Sequence, residues 1–138
     1  VVDIGSCLGA TIDALACYGG NVSGTDPIGY AFQSAGRRPI SRSDGTSYLE
    51  QQLISGEPLT LIACFNVDVV ESMSGKGYAY RMHGREMKAL KVEGQLLYTF
   101  SQDFLPLTKD LIALPNACLA ELPLQLAKNE KYALIITK

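Results

Sequence analysis

The sequence predicts an α/β protein: a three-layer α/β/α sandwich on a mostly parallel sheet with an antiparallel last strand. Three observations predict it. Short apolar runs alternate with stretches of helical periodicity, the pattern of parallel strands joined by crossover helices. The run Leu-Thr-Leu-Ile-Ala-Cys-Phe at 59–65 is almost continuously apolar, as a strand buried on both faces must be. Two apolar runs at the carboxyl end, joined by a loop containing Asn129 and Glu130, suit an antiparallel pair.

Each element follows in turn. A first strand over 1–4 runs into a glycine-bearing turn from Gly5 to Gly9. The helix after it, over 10–18, places Ile12, Leu15 and Ala16 on one face and is stopped by Gly19-Gly20. Strand two covers 21–25 and ends at Asp26-Pro27, and a short helix is expected over 28–36. A weak third strand over 39–43 precedes Asp44-Gly45, and the next helix, over 47–54, is ended by Gly56-Glu57-Pro58. Beyond the central strand at 59–65, the stretch 67–76 fits neither period. A helix over 80–90 carries Met82, Met87 and Leu90, and Glu93-Gly94 turns into a strand over 95–100. A helix over 104–114 and strands over 118–122 and 132–137 complete the chain.

Composition bounds the function. The 138 residues suit one domain, and 47% hydrophobic against 19% charged residues supports a packed core rather than disorder. Lys+Arg 12 against Asp+Glu 14 gives a net charge of −2, so no cationic surplus exists to neutralise phosphates. Nucleic acid is therefore not indicated by charge, although a local patch is compatible with this composition. No apolar run nears the ~20 residues of a membrane helix, and no secretory leader is visible, so no membrane partner is expected. Cysteines at 7, 17, 64 and 118 form no close pairs and the chain has one histidine, which argues against a zinc site. Reduced, mostly buried thiols in a cytoplasmic protein are the expectation. The opening Val1-Val2-Asp3 gives the first strand little length before an acid. That start predicts either a missing amino-terminal cap or one piece of a longer polypeptide.

The functional signal lies in the first 27 residues. A strand ends in Asp3-Ile4-Gly5-Ser6-Cys7-Leu8-Gly9, a helix follows, and a second strand ends in Asp26, seventeen residues after Gly9. Glycines in a strand-to-helix turn let the backbone approach a ligand and aim free N–H groups at it. An acid at the end of strand two is placed to accept hydrogen bonds from ribose hydroxyls, and a solvated carboxylate is expected there. Together these describe an adenosine-type site at the carboxyl edge of a parallel sheet.

At these residues the chain resembles the class I S-adenosylmethionine-dependent methyltransferases. Their first motif is an acid, any residue, then Gly-x-Gly-x-Gly; Asp3, Gly5 and Gly9 match, and Cys7 stands in place of the middle glycine. The resemblance continues at Asp26, at Asp44 as the adenine-side acid, and at 59–66, where Phe65 and Asn66 begin the active-site loop. It extends through Leu90-Lys91-Val92-Glu93-Gly94-Gln95-Leu96-Leu97, similar to the family's turn into strand five, to the final strand at 133–138. It implies the seven-strand Rossmann-like methyltransferase order. Its implied donor is S-adenosyl-L-methionine, held by Asp3, Gly5, Ser6, Cys7, Gly9, Asp26, Asp44, Phe65 and Asn66. The methyl acceptor is unidentified, and the remainder of a larger polypeptide or a partner chain could complete the site.

Competing readings come from other classes. A dinucleotide-binding domain wants Gly-x-Gly-x-x-Gly, which this turn lacks, and Asp3 would repel a phosphate. A methyltransferase-like module that has lost chemistry and serves as a structural or partner-binding domain is the alternative that Cys7 favours. Asp3, Asp26 and Asp44 could each be plain turn residues, His83 a helix-surface residue, and Asp68 and Glu71 a solvated face. Methyl transfer is an in-line displacement governed by positioning and desolvation, so it needs no acid–base pair.

Overall fold

The structure, a computed structural model, describes residues 1–6, 9–17, 19–27, 38–65, 76–123 and 131–138, with the backbone alone at 76–82 and 107. The helix expected over 28–36, the Asn129-Glu130 loop, Cys7, Asn66, Asp68 and Glu71 lie outside the described residues.

Alternation between apolar runs and helices yields β1 (Val2–Ile4), α1 (Ala10–Ala16), β2 (Ser23–Thr25), β3 (Ile40–Ser41), α2 (Gly45–Ser55) and β4 (Leu59–Phe65). These are followed by α3 (Lys76–Ala89), β5 (Leu90–Phe100), a 3₁₀ segment (Gln102–Thr108), α4 (Lys109–Ile112), β6 (Ala117–Glu121) and β7 (Tyr132–Thr137). The strands form one sheet in the order β3-β2-β1-β4-β5-β7-β6. The pairings from β3 to β5 are parallel, and β7 runs antiparallel to both β5 and β6.

Register assigns the two faces. Val2 is level with Ser23 and with Ile62, and Ile62 with Leu96 and Ile136, so these side chains share one face. Val2, Ile62, Leu96, Leu134 and Ile136 are buried there with Tyr48 and Leu49 of α2, Ala89 of α3 and Leu111 of α4. The Tyr48 hydroxyl also meets Ser23 Oγ at 2.9 Å, fastening α2 to β2. Asp3 is level with Gly24 and Ala63 on the opposite face, where Ile12 of α1 packs.

β4 and β7 match the sequence expectation at both ends, while β5 does not. It begins at Leu90, directly after α3, instead of at 95. Leu59 faces Leu90 and Leu61 faces Gln95, so a step of two residues on β4 answers a step of five on β5. The Glu93-Gly94 pair that read as a turn is a bulge, with Glu93 at φ 62° and its N–H donating to the Lys138 carbonyl. Turns and bulges draw on the same residues, so local chemistry does not separate them. The helix expected over 104–114 is a 3₁₀ segment and a single α-turn instead, because the Pro106 ring disfavours the α conformation at Leu105 before it.

Candidate functional site

The first five strands are parallel, so the ends of β1, β2, β3 and β4 lie at one edge of the sheet. Order reverses between β1 and β4, the position where open α/β sheets leave a crevice for a ligand. Asp3 lies within β1, Gly5 and Ser6 follow it, Asp26 follows β2, Asp44 follows β3, and Phe65 closes β4. One edge therefore gathers all the described site residues named from sequence.

The turn after β1 is shaped by its glycines. Gly9 sits at φ 85° and Gly5 at φ 76°, conformations that a side chain would strain. Its described amides, at Gly5, Ser6 and Gly9, are however not free as expected. The Gly5 and Ser6 N–H groups donate to the Thr25 carbonyl at 2.8 and 3.1 Å, and the Gly9 N–H donates to the Ser6 carbonyl at 2.8 Å. These bonds lock the turn onto the end of β2. Ser6 Oγ donates to the Asp3 carbonyl at 2.7 Å, folding the side chain back over the strand.

Gly24 makes this possible, and sequence reasoning missed it. A Cβ there would lie 2.0 Å from Ser6 Oγ and 2.6 Å from Ile12 Cδ1, so only glycine admits both the turn and α1. Its signal was a glycine inside a strand, which marks close approach of another segment.

Asp3 is 1% exposed, and its Oδ2 has no hydrogen-bond partner among the described residues. Burial pushes its carboxyl up to about 7; a hydrogen bond from Ser6 pulls it down, and the neighbouring Asp26 charge pushes it up again. Asp26 is 5% exposed, not solvated as expected, and its N–H donates to the Ser41 carbonyl at 3.1 Å. The Thr25 hydroxyl reaches Ser43 Oγ at 2.9 Å, tying the end of β2 to the segment that carries Asp44. Asp44 is the N-cap of α2: Oδ1 accepts from the Ser47 N–H at 3.0 Å and Oδ2 from the Ser47 hydroxyl at 2.8 Å. These bonds, the Ser47 amide first, hold its carboxyl below the usual carboxylate range.

No protein-family model matches the chain, and no curated protein does. Solved structures do. An rRNA methylase from Streptococcus thermophilus is similar at TM-score 0.70 and 14% identity, covering 99% of this chain and 84% of its own. The N-methyltransferase NodS from Bradyrhizobium japonicum WM9 is similar at TM-score 0.74 and 16% identity, with 99% and 84% covered. An O-methyltransferase from Bacillus cereus in complex with SAH is similar at TM-score 0.69 and 14% identity, covering 99% and 73%. The chain has the class I methyltransferase fold. The antiparallel β7 between β5 and β6 distinguishes it from the dinucleotide-binding order 3-2-1-4-5-6.

Within this methyltransferase fold, the structure brings Asp3, Gly5, Ser6, Gly9 and Asp26 together around the end of β1. Phe65 lies at the adjacent strand end, and Asp44 is engaged in capping α2. The cysteine expectation needs correction: Cys64 is buried, but Cys17 and Cys118 are exposed. Cys17 caps the end of α1 and Cys118 lies on the edge strand β6, where apolar neighbours in sequence do not imply burial. His83 is half-buried rather than on the surface, and its Nδ1 has no partner among the described residues. Among those residues no group of three or more His, Cys, Asp and Glu could hold a metal ion, and no helix is long and apolar enough to cross a membrane.

Proposed function

We propose that this chain binds S-adenosylmethionine at the carboxyl edge of β1, β2 and β4 and supports transfer of its methyl group to an acceptor. The observation that carries the proposal is Asp3: a buried carboxyl with one oxygen that has no partner among the described residues, at the motif position of the first strand. Such a group fits a cation and disfavours a phosphate, because a second negative charge in that setting would raise the energy of both. S-adenosylmethionine supplies an ammonium and, at sulfur, an activated methyl group with a good leaving group. Asp3 is suited to hold the ammonium. Asp26 is suited to accept from ribose hydroxyls, and Gly5 and Gly9 leave backbone without a side chain at two points of the turn. Asp44, with both oxygens already engaged by Ser47, offers its remaining lone pairs to the adenine side. The chain's contribution to the reaction is then alignment and exclusion of water rather than proton transfer.

Parallel calorimetric titration with S-adenosylmethionine, its demethylated product and NAD tests this reading. The donor and its product should bind and NAD should not. Tighter binding of NAD would overturn it.

A further inference from the structure

A second buried acid lies under the same sheet edge, and methyl transfer makes no use of it. Glu86 of α3 is 0% exposed. Cys64 of β4 and Tyr98 of β5 are direct register partners, so both side chains rise from one face of the sheet toward α3. The Tyr98 hydroxyl donates to Glu86 Oε2, and the Cys64 thiol donates to Oε1 at 3.7 Å. Cys64 immediately precedes Phe65 at the end of β4. One side chain on a helix thus grips the two central strands just below the site. Two donors on two oxygens suit an ionised carboxylate, whereas complete burial suits the neutral acid. The two demands conflict at a single group.

We propose that the Glu86–Cys64–Tyr98 cluster is a proton-operated clamp on β4 and β5: neutral Glu86 holds the strand ends closed, and ionised Glu86 loosens them. A charge at this position draws in water, and parting the strand ends from α3 is the direct way to admit it. Burial raises the Glu86 carboxyl to about 7, against the opposing bonds from Tyr98 and Cys64. The folded acid therefore lies above its unfolded value, so its stabilisation is complete at low pH and is lost as pH rises through about 7. Among the described residues, the titratable groups facing it are Cys64 of β4, Tyr98 of β5 and His83 one turn away on α3, while Asp3 of β1 lies across the sheet on its other face. Cys64 and Tyr98 are pushed up and stay neutral, and His83 is held below its usual value by desolvation. Arg85 of α3 pairs outward with Glu50 of α2 at 3.0 Å. Between about pH 6.5 and 8.5, the groups here that change charge are Asp3 and Glu86.

Control of the donor site by this clamp rests on the proposed function, but the test does not. Backbone hydrogen exchange is compared at pH 6.5 and 8.5, corrected for intrinsic rates, in the wild type and in Glu86→Gln. The wild type should lose protection in residues 62–65 and 96–99, by about fourfold from Glu86 over this interval, and should level off above the transition near 7. Glu86→Gln should keep that protection apart from the Asp3 contribution, which is common to both proteins. Should Glu86→Gln fail to fold, Tyr98→Phe removes a donor from the carboxylate and should move the loss to higher pH. Equal losses in wild type and Glu86→Gln, or an unmoved transition in Tyr98→Phe, would overturn the clamp. Absence of donor binding with these shifts intact would count against the proposed function alone.

Discussion

Asp3 serves two opposed ends. As a buried acid raised to about 7 it weakens the empty protein, because the folded state holds a proton that the unfolded chain releases above about pH 4. Stability from this group is present at low pH and falls as pH rises through about 7. Asp3→Asn should therefore stabilise the ligand-free protein at pH 8 by about 1–3 kcal/mol in chemical denaturation, while weakening donor binding at least tenfold. A variant less stable than its parent at pH 8 would contradict this account of the residue. Asp26→Asn should cost the donor about 2–3 kcal/mol, read by calorimetry, because the amide presents an N–H where a carboxylate accepted. Both acids were legible in the sequence, since their type and spacing follow from a strand, a turn and a second strand. Glu86 was not. Nothing in Gly84-Arg85-Glu86-Met87 marks an acid as buried; only the packing of α3 onto Cys64 and Tyr98 does.

At the level of elements, a single atom decides whether the turn after β1 can form. Gly24→Ala places a methyl against Ser6 and Ile12, so it should destabilise by about 1–3 kcal/mol and abolish donor binding. Retained affinity in that variant would show that the Gly5–Ser6 turn does not shape the site. Asp44→Ala removes both bonds that start α2 and should cost about 1 kcal/mol in denaturant unfolding. Element existence was legible wherever periodicity was strong, as in β4 and β7, where both faces are filled by apolar side chains. Boundaries failed where one local signal serves two structures. Glu93-Gly94 forms a bulge inside β5 rather than a turn before it, and α3 opens at Lys76, four residues ahead of the expected start. The β7 insertion between β5 and β6 came from the resemblance and not from local pattern, because pairing order depends on contacts distant in sequence.

For the molecule as a whole, the sheet order places the described candidate donor residues at one edge and the buried acids Asp3 and Glu86 on opposite faces beneath it. Its likeness to an rRNA methylase, an N-methyltransferase and an O-methyltransferase shows one scaffold beneath different acceptors. What this chain adds is a charge arrangement around β1 suited to a cationic ligand. Binding an ammonium beside Asp3 favours the ionised carboxylate, so donor binding near pH 6.5 should expel a proton from a group that rests at about 7 in the empty site. The deciding measurement is calorimetric titration of the demethylated donor product at pH 6.5 in buffers of different ionisation enthalpy, for the wild type and Asp3→Asn. The account predicts binding with release of about three-quarters of a proton in the wild type, and weaker binding without release in Asp3→Asn. Binding with no proton released by the wild type, or release that persists in Asp3→Asn, would contradict it.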